Sequence, residues 1–127
     1  MSLRRSQRGF TLIELIATLV ILGVLASIAV PKYYDITRES QNKAALQAVT
    51  EGKARLSINY ARLFLENGTP PGATSLVDAV GGGGATTSVG DYTLSFSTVG
   101  VTSDIKINAS GKVGVQGVNS GVWLLPK

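Results

Sequence analysis

The feature that most constrains the fold is a single apolar run near the N-terminus, from Phe10 to Val30. It reads FTLIELIATLVILGVLASIAV, and nearly all of its residues are apolar or small. As an α-helix this run is about 30 Å long. That length is enough to cross the hydrocarbon core of a bilayer. The sequence therefore predicts a transmembrane helix over residues 10–30.

One residue breaks the apolar pattern. Glu14 is the single charged side chain inside the run, four residues after Phe10. An unpaired carboxylate in hydrocarbon is costly, so ionisable residues inside membrane segments usually have a partner and a function. Glu14 is therefore a candidate functional residue whose partner has to be identified.

The segment before the run, residues 1–9, is short and basic, with Arg4, Arg5 and Arg8. An ordinary secretory signal is the competing interpretation, with Ser27–Ala29 as a small-residue cleavage site. The length of the apolar core and the charge inside it argue against that interpretation. We expect a leader peptide whose arginines mark the cytoplasmic side of the membrane.

The block from Arg8 to Leu15, RGFTLIEL, resembles the prepilin peptidase site of type IV pilins and of type II secretion pseudopilins. The resemblance implies cleavage after Gly9 and N-methylation of Phe10. It also implies that Glu14, the fifth residue of the mature chain, acts in assembly.

The resemblance extends to about residue 35. Pro31 matches the proline that kinks the helix in that family, and Tyr33 and Tyr34 match the aromatic pair that follows it. Since proline lacks the N–H donor and crowds the preceding turn, we expect a kink or local melting near residues 27–31.

Gly23 and Ser27 lie four residues apart and share one face of the helix. Small residues there either permit close approach of another helix or reflect the usual composition of membrane helices.

Composition limits the remaining chemistry. The chain has 127 residues and a net charge of +4, and removal of the three leader arginines leaves +1 for a chain starting at Phe10. A net charge of this size does not indicate nucleic-acid binding. There is no His and no Cys, so the commonest general base and metal ligand is missing. We expect a protein that is not an enzyme and has no cofactor or metal.

Residues 31–66 are expected to form the amphipathic helix of a small head. Asn67–Gly68 and the following Pro70–Pro71 predict its end. The i,i+4 spacing predicts an ion pair between Glu51 and Arg55. The expected buried stripe consists of Leu46, Val49, Lys53, Leu56, Tyr60 and Leu63.

Residues 67–90 are interpreted as a connecting loop and residues 91–127 as an antiparallel sheet. A turn is expected at Ser110–Gly111. The strand residues expected to cover the helix are Leu94, Phe96, Ile105, Ile107, Val113, Val115 and either Val122 or Trp123. The fold class is α+β: a long N-terminal helix packed on a small C-terminal sheet.

Three other patterns in the sequence are weaker signals. Asp78, Asp91 and Asp104 would form at best a weak calcium site. Gly81–Gly84 lacks the Lys-Ser/Thr that a phosphate-binding loop requires. Two glycosylation sequons begin at Asn67 and Asn108.

The resemblance implies a structural subunit of a type IV pilus. Such a chain is held in the inner membrane as a precursor and then polymerises into an extracellular filament. Its implied partners are copies of itself, the membrane, a prepilin peptidase, an inner-membrane assembly platform and the platform's ATPase. Two alternatives stay open: a pseudopilin of a type II secretion or competence system, and a membrane-anchored binding module that forms no polymer.

For Glu14, two partners are considered. One is the Phe10 amine of an adjacent subunit, and the other is the amine of its own chain. The intersubunit pair is the hypothesis we prefer, because losing one partner of a buried ion pair typically costs about 3–5 kcal/mol and could gate docking of the subunit.

Overall fold

The computed structural model describes residues 9–81, 86–100 and 104–126, and the leader arginines lie outside these ranges. Contacts divide the chain into an N-terminal unit, Met1–Ile36, and a C-terminal unit, Thr37–Lys127. The elements follow in the order α1 (Leu12–Asn67), α2 (Ala73–Gly81), β1 (Thr86–Val89), β2 (Tyr92–Val99), β3 (Asp104–Gly111) and β4 (Val118–Trp123).

In the N-terminal unit, the apolar run is helical from Leu12 onward, as its length and composition predict. Helical structure continues without interruption through Pro31. Local melting near residues 27–31 is therefore wrong. Proline removes only one hydrogen bond of the helical ladder, and the flanking turns remain helical. A bend at Pro31 stays a prediction.

The C-terminal end of α1 follows from local sequence. Gly68 adopts φ 67°, a left-handed conformation that is accessible to glycine without a steric penalty. Its N–H donates to the carbonyl oxygen of Phe64 at 2.9 Å, and Pro70–Pro71 prevents further helix. The predicted stop at Asn67–Gly68 is confirmed.

The four strands form one antiparallel sheet in the order β1-β2-β3-β4. β1 and β2 are joined at Gly90–Asp91, with Val89 opposite Tyr92 and φ 55° at Gly90. Alternate residues of β2 and β3 face the core, namely Tyr92, Leu94, Phe96, Ile105, Ile107 and Ala109. The α+β fold class is confirmed.

The sheet packs against the part of α1 that belongs to the C-terminal unit, and Gly52 lies at the contact. A Cβ atom at Gly52 would lie 3.1 Å from Leu94 Cδ1 and 3.2 Å from Ile107 Cγ2. The absence of a side chain lets the helix backbone approach the sheet closely.

The buried face of α1 differs from the predicted stripe. Val49 and Leu56 are buried as expected, and Tyr60 and Leu63 pack at the edge of the core. Leu46, in contrast, is half exposed, while Ala45 and Ala48 are buried. Small residues occupy the closest approach of helix and sheet, so the larger Leu46 lies outside it.

The second half of the sheet also differs from the prediction. Ser110–Gly111 is not a turn, because β3 continues through both residues and pairs them with Thr93 and Tyr92. The turn lies at Val113–Gly114, where Val115 N–H donates to Lys112 O and Gly114 has φ 91°. Val113 is fully exposed as a result.

Either Val122 or Trp123 of β4 was expected to cover the helix, and the structure shows that Trp123 does so. This residue packs against the core, whereas Val122 faces outward. The indole Nε1–H donates to Ser57 Oγ of α1 at 3.1 Å.

Within residues 67–90, which were interpreted as a connecting loop with a short turn of helix or strand at Leu76–Val80, the structure describes α2 and β1. α2 buries Ala73, Leu76 and Val77 against the sheet. The Gly-rich residues 82–84 lie outside the described ranges.

Candidate functional site

The candidate site is the first turn of α1 together with the two residues that precede its cap. Gly9 and Phe10 come before the helix, and Phe10 is 87% exposed. Glu14 lies in the first helical turn. The structure therefore brings the three processing and assembly candidates together in one exposed segment.

Glu14 is held by a residue that the sequence reasoning missed. Its Oε2 accepts from the Thr11 backbone N–H at 2.9 Å and from Thr11 Oγ1–H at 2.8 Å. In return, the Glu14 backbone N–H donates to Thr11 Oγ1 at 3.3 Å. Thr11 and Glu14 thus bond each other reciprocally across the start of the helix.

This arrangement is a capping box, in which a Ser or Thr at the N-cap and a Glu three residues later satisfy each other's backbone N–H groups. The signal was present in the sequence as Thr11-Leu12-Ile13-Glu14. Glu14 therefore has a role inside its own chain, beside the partner that the apolar run requires.

A negative side chain in the first turn also faces the positive end of the helix dipole. Both Thr11 bonds end on Oε2. A carboxylate has two oxygens that accept hydrogen bonds, and none of the described residues donates to Oε1. Within the described chain, the cap therefore uses one carboxylate oxygen and leaves the other able to accept a further hydrogen bond.

The described surroundings of Gly9 leave room for a side chain. A Cβ atom built there has none of the described residues within 4 Å. A side chain at this position would meet no obstacle in the described chain.

From the first turn to Val30, the surface of α1 is mostly apolar. Large apolar side chains from Leu12 to Val30 are all more than half exposed. α1 contains a stretch long and apolar enough to cross a membrane, and none of that stretch is buried.

The hydroxyl groups within this stretch are satisfied by the helix itself. Thr18 Oγ1 donates to the carbonyl oxygens of Glu14 and Leu15 at 2.9 and 2.8 Å, and Ser27 Oγ donates to that of Val24 at 2.7 Å. Internal hydrogen bonds of this kind lower the cost of moving a hydroxyl out of water.

In the described part of the head, ionisable side chains are not gathered into a site of this kind. Among the described residues, no three acidic side chains come together as a metal site would require. Asp104 accepts from the Leu125 backbone N–H at 3.3 Å. The predicted ion pair between Glu51 and Arg55 is confirmed at 3.0 Å.

Comparison with known proteins gives two kinds of match. Residues 4–30 match the model of the prokaryotic N-terminal methylation motif. The chain is also similar to a fimbrial protein of Pseudomonas aeruginosa, with 38% identity over 68 residues that cover 52% of this chain and 44% of the relative. Fimbrial protein EcpC of Eikenella corrodens is 41% identical over 46% of this chain and 39% of its own length.

A longer match is found with the type IV major pilin protein PilE1 of Neisseria gonorrhoeae. The two are 32% identical over 105 residues, which cover 79% of this chain and 49% of the relative. The chain spans less than half the length of these relatives. No solved structure matches the chain. The resemblance inferred from the residues is confirmed: the chain carries the prokaryotic N-terminal methylation motif, and its homologues are named fimbrial proteins and type IV major pilins.

Proposed function

We propose that this protein is a structural subunit of a type IV pilus, inserted in the inner membrane as a precursor and polymerised through its apolar helix. One observation carries the proposal: from Leu12 to Val30 the helix exposes large apolar side chains around its whole circumference. Such a helix requires an apolar environment. The bilayer supplies that environment before assembly, and the helices of neighbouring subunits supply it afterwards.

The same segment carries the processing site. Cleavage after Gly9 converts the Phe10 amide into a terminal amine beside the capping box. This amine would carry a positive charge, and methylation would retain it. Oε1 of Glu14 in an adjacent subunit would then form an ion pair with this amine, while Oε2 keeps its hydrogen bonds from Thr11. The pairing would fix the axial position of one subunit against the next.

The proposed role needs no catalytic group and no cofactor. The partners that it requires are further copies of the chain, a prepilin peptidase, an assembly platform in the inner membrane and the platform's ATPase. The mature subunit would end its route in a filament at the cell surface.

The filament test compares cells with and without this chain. Surface filaments are sheared from the cells, imaged, and analysed by mass spectrometry. We expect long filaments in which this chain is the main component, and none after its deletion. Short periplasmic assemblies would favour a pseudopilin, and an anchored monomer would favour a binding module. Either result would contradict the proposal.

The cleavage test uses the lack of contacts at Gly9. A Gly9→Val chain should fold normally, because a side chain has room there. It should nevertheless keep its leader, since a branched side chain beside the cut would crowd the peptidase. Gly72→Ala is the matched control, because it too is a glycine with open space around it. The intact mass of each chain should show Phe10 as the first residue in the control only. A parent chain beginning at Val30 would contradict the proposed processing.

A further inference from the structure

Three residues with affinity for a membrane interface follow the apolar run and Pro31. They are Lys32, Tyr33 and Tyr34. Tyr33 and Tyr34 are 70% and 65% exposed. Their rings meet edge to face, with centroids 6.4 Å apart. All three residues belong to the N-terminal unit.

Their distribution around the helix points to the kind of environment that they meet. Consecutive residues of an α-helix project about 100° apart, so these three form a partial ring rather than one face. A neighbouring protein helix contacts a single face, whereas the boundary between hydrocarbon and headgroups surrounds the helix. Tyrosine rings concentrate at that boundary, and a lysine can bury its stem there while its ammonium reaches the phosphates.

The spacing along the helix agrees with this environment. From Glu14 to Tyr33 there are 19 steps in the sequence, which is about 28 Å of helix. The hydrocarbon core of a bilayer is about 30 Å thick. Tyrosines at one boundary therefore bring the Thr11–Glu14 capping box to the opposite boundary, where water and headgroups reach the carboxylate.

We propose that Lys32, Tyr33 and Tyr34 form an interfacial anchor that binds the phospholipid headgroup region and sets the depth of the helix in the bilayer. The anchor keeps the Glu14 charge out of the hydrocarbon until assembly. The inference rests on the proposed membrane insertion. It adds that the three residues bind the headgroup region and that this binding sets the depth of the helix in the bilayer.

The chain contains no cysteine, so a single cysteine introduced for labelling has no competitor. Ile36→Cys is suitable, since Ile36 is exposed and lies two residues beyond the anchor. The full chain is reconstituted in vesicles of phosphatidylcholine and phosphatidylglycerol, and the fluorophore depth is measured by quenching with lipids spin-labelled at two depths. The anchor is tested with Tyr33→Leu/Tyr34→Leu, and the control is Tyr33→Trp/Tyr34→Trp.

In the parent chain the fluorophore should lie at the headgroup level. The leucine pair replaces the interfacial rings with two apolar side chains beyond Pro31 and Lys32, so the fluorophore should move by about two residues of helix, about 3 Å, toward the bilayer centre. The tryptophan pair should keep the parent depth. Because both tyrosines are exposed, the unfolding midpoint of the head should be the same in all three chains. An unchanged depth with leucine, in chains that float with the vesicles, would overturn the anchor alone. A parent chain that does not float with the vesicles would overturn the membrane insertion as well.

Discussion

Glu14 illustrates how one side chain serves two requirements. It completes the capping box with Thr11 at the start of α1. It is also the single charge of the apolar run, which is why the sequence alone marked it as functional. The structure shows two hydrogen bonds from Thr11 to the Glu14 carboxylate, and such bonds offset part of the cost of removing a charged group from water.

We expect Glu14→Val to insert in the membrane and to be cleaved, but to give few or no filaments, because the Phe10 amine of the next subunit loses its partner. Membrane fractionation, intact mass and the yield of sheared filaments measure the three steps separately. Glu66→Gln is the matched control, since Glu66 lies on the same helix in an exposed pair with Arg62. Normal filament yield from Glu14→Val, without any unmutated subunit present, would refute the role in assembly.

At Gly52, the effect of a side chain belongs to packing. We expect Gly52→Val to lower the free energy of unfolding by about 1–3 kcal/mol, the usual cost of extra volume in a packed core. The added Cβ alone would reach 3.1 Å from Leu94. Ala54→Val is the control, because Ala54 is exposed two residues away, and surface changes usually stay within about 0.5 kcal/mol. Chemical denaturation of the two variants measures the difference. Equal stability of both would mean that the helix does not approach the sheet at Gly52.

At the scale of elements, α1 meets two environments along its length. From Leu12 to Val30 its large apolar side chains are exposed, whereas from Ala45 to Leu56 one face is buried by the sheet. The difference arises from sequence pattern. The first part is apolar all round, and the second is amphipathic. The sheet covers only the face where alanine and glycine allow close approach.

Leu56 and Leu46 should therefore respond differently to truncation. Leu56 is fully buried and Leu46 is 50% exposed. We expect Leu56→Ala to cost about 2–5 kcal/mol, as full burial and cavity formation predict. Leu46→Ala should cost clearly less. Both are measured by denaturant titration of the head. A larger loss at Leu46 would restore the helix face predicted from the sequence.

At the scale of the whole molecule, the hydrophobic core lies entirely within the unit Thr37–Lys127. Every buried core residue in the described ranges falls between Ala45 and Ala109. No core residue is supplied by the apolar run. The buried apolar contacts that stabilise the fold of the head therefore lie within the head itself.

We expect a chain truncated to residues 37–127 to be soluble and to unfold in one cooperative transition. The full chain, with its exposed apolar helix, should require detergent. Circular dichroism during denaturant titration measures the cooperativity, and sedimentation without detergent measures the solubility. A truncated chain that aggregates or unfolds without a cooperative transition would show that the head depends on the N-terminal unit.

Features that depend on neighbouring residues in the chain could be predicted from the sequence. Contiguous or i,i+4 patterns account for four such features: the apolar run, the Glu14 charge, the helix end at Asn67–Gly68 and the Glu51–Arg55 pair. The capping box was equally local, and the Thr11-x-x-Glu14 signal was simply not used. The family resemblance rests on the same N-terminal residues.

Which surfaces of the helix and the sheet meet could not be predicted in this way. The size of a side chain does not reveal where two backbones approach most closely, and so Ala45 and Gly52 are buried while Leu46 is not. Likewise, Ser110–Gly111 has the composition of a turn, but both residues remain in β3 because β2 supplies partners for them. Local propensity was overruled in each case by contacts between residues far apart in the chain, since backbone pairing and close packing depend on the shape of the partner element.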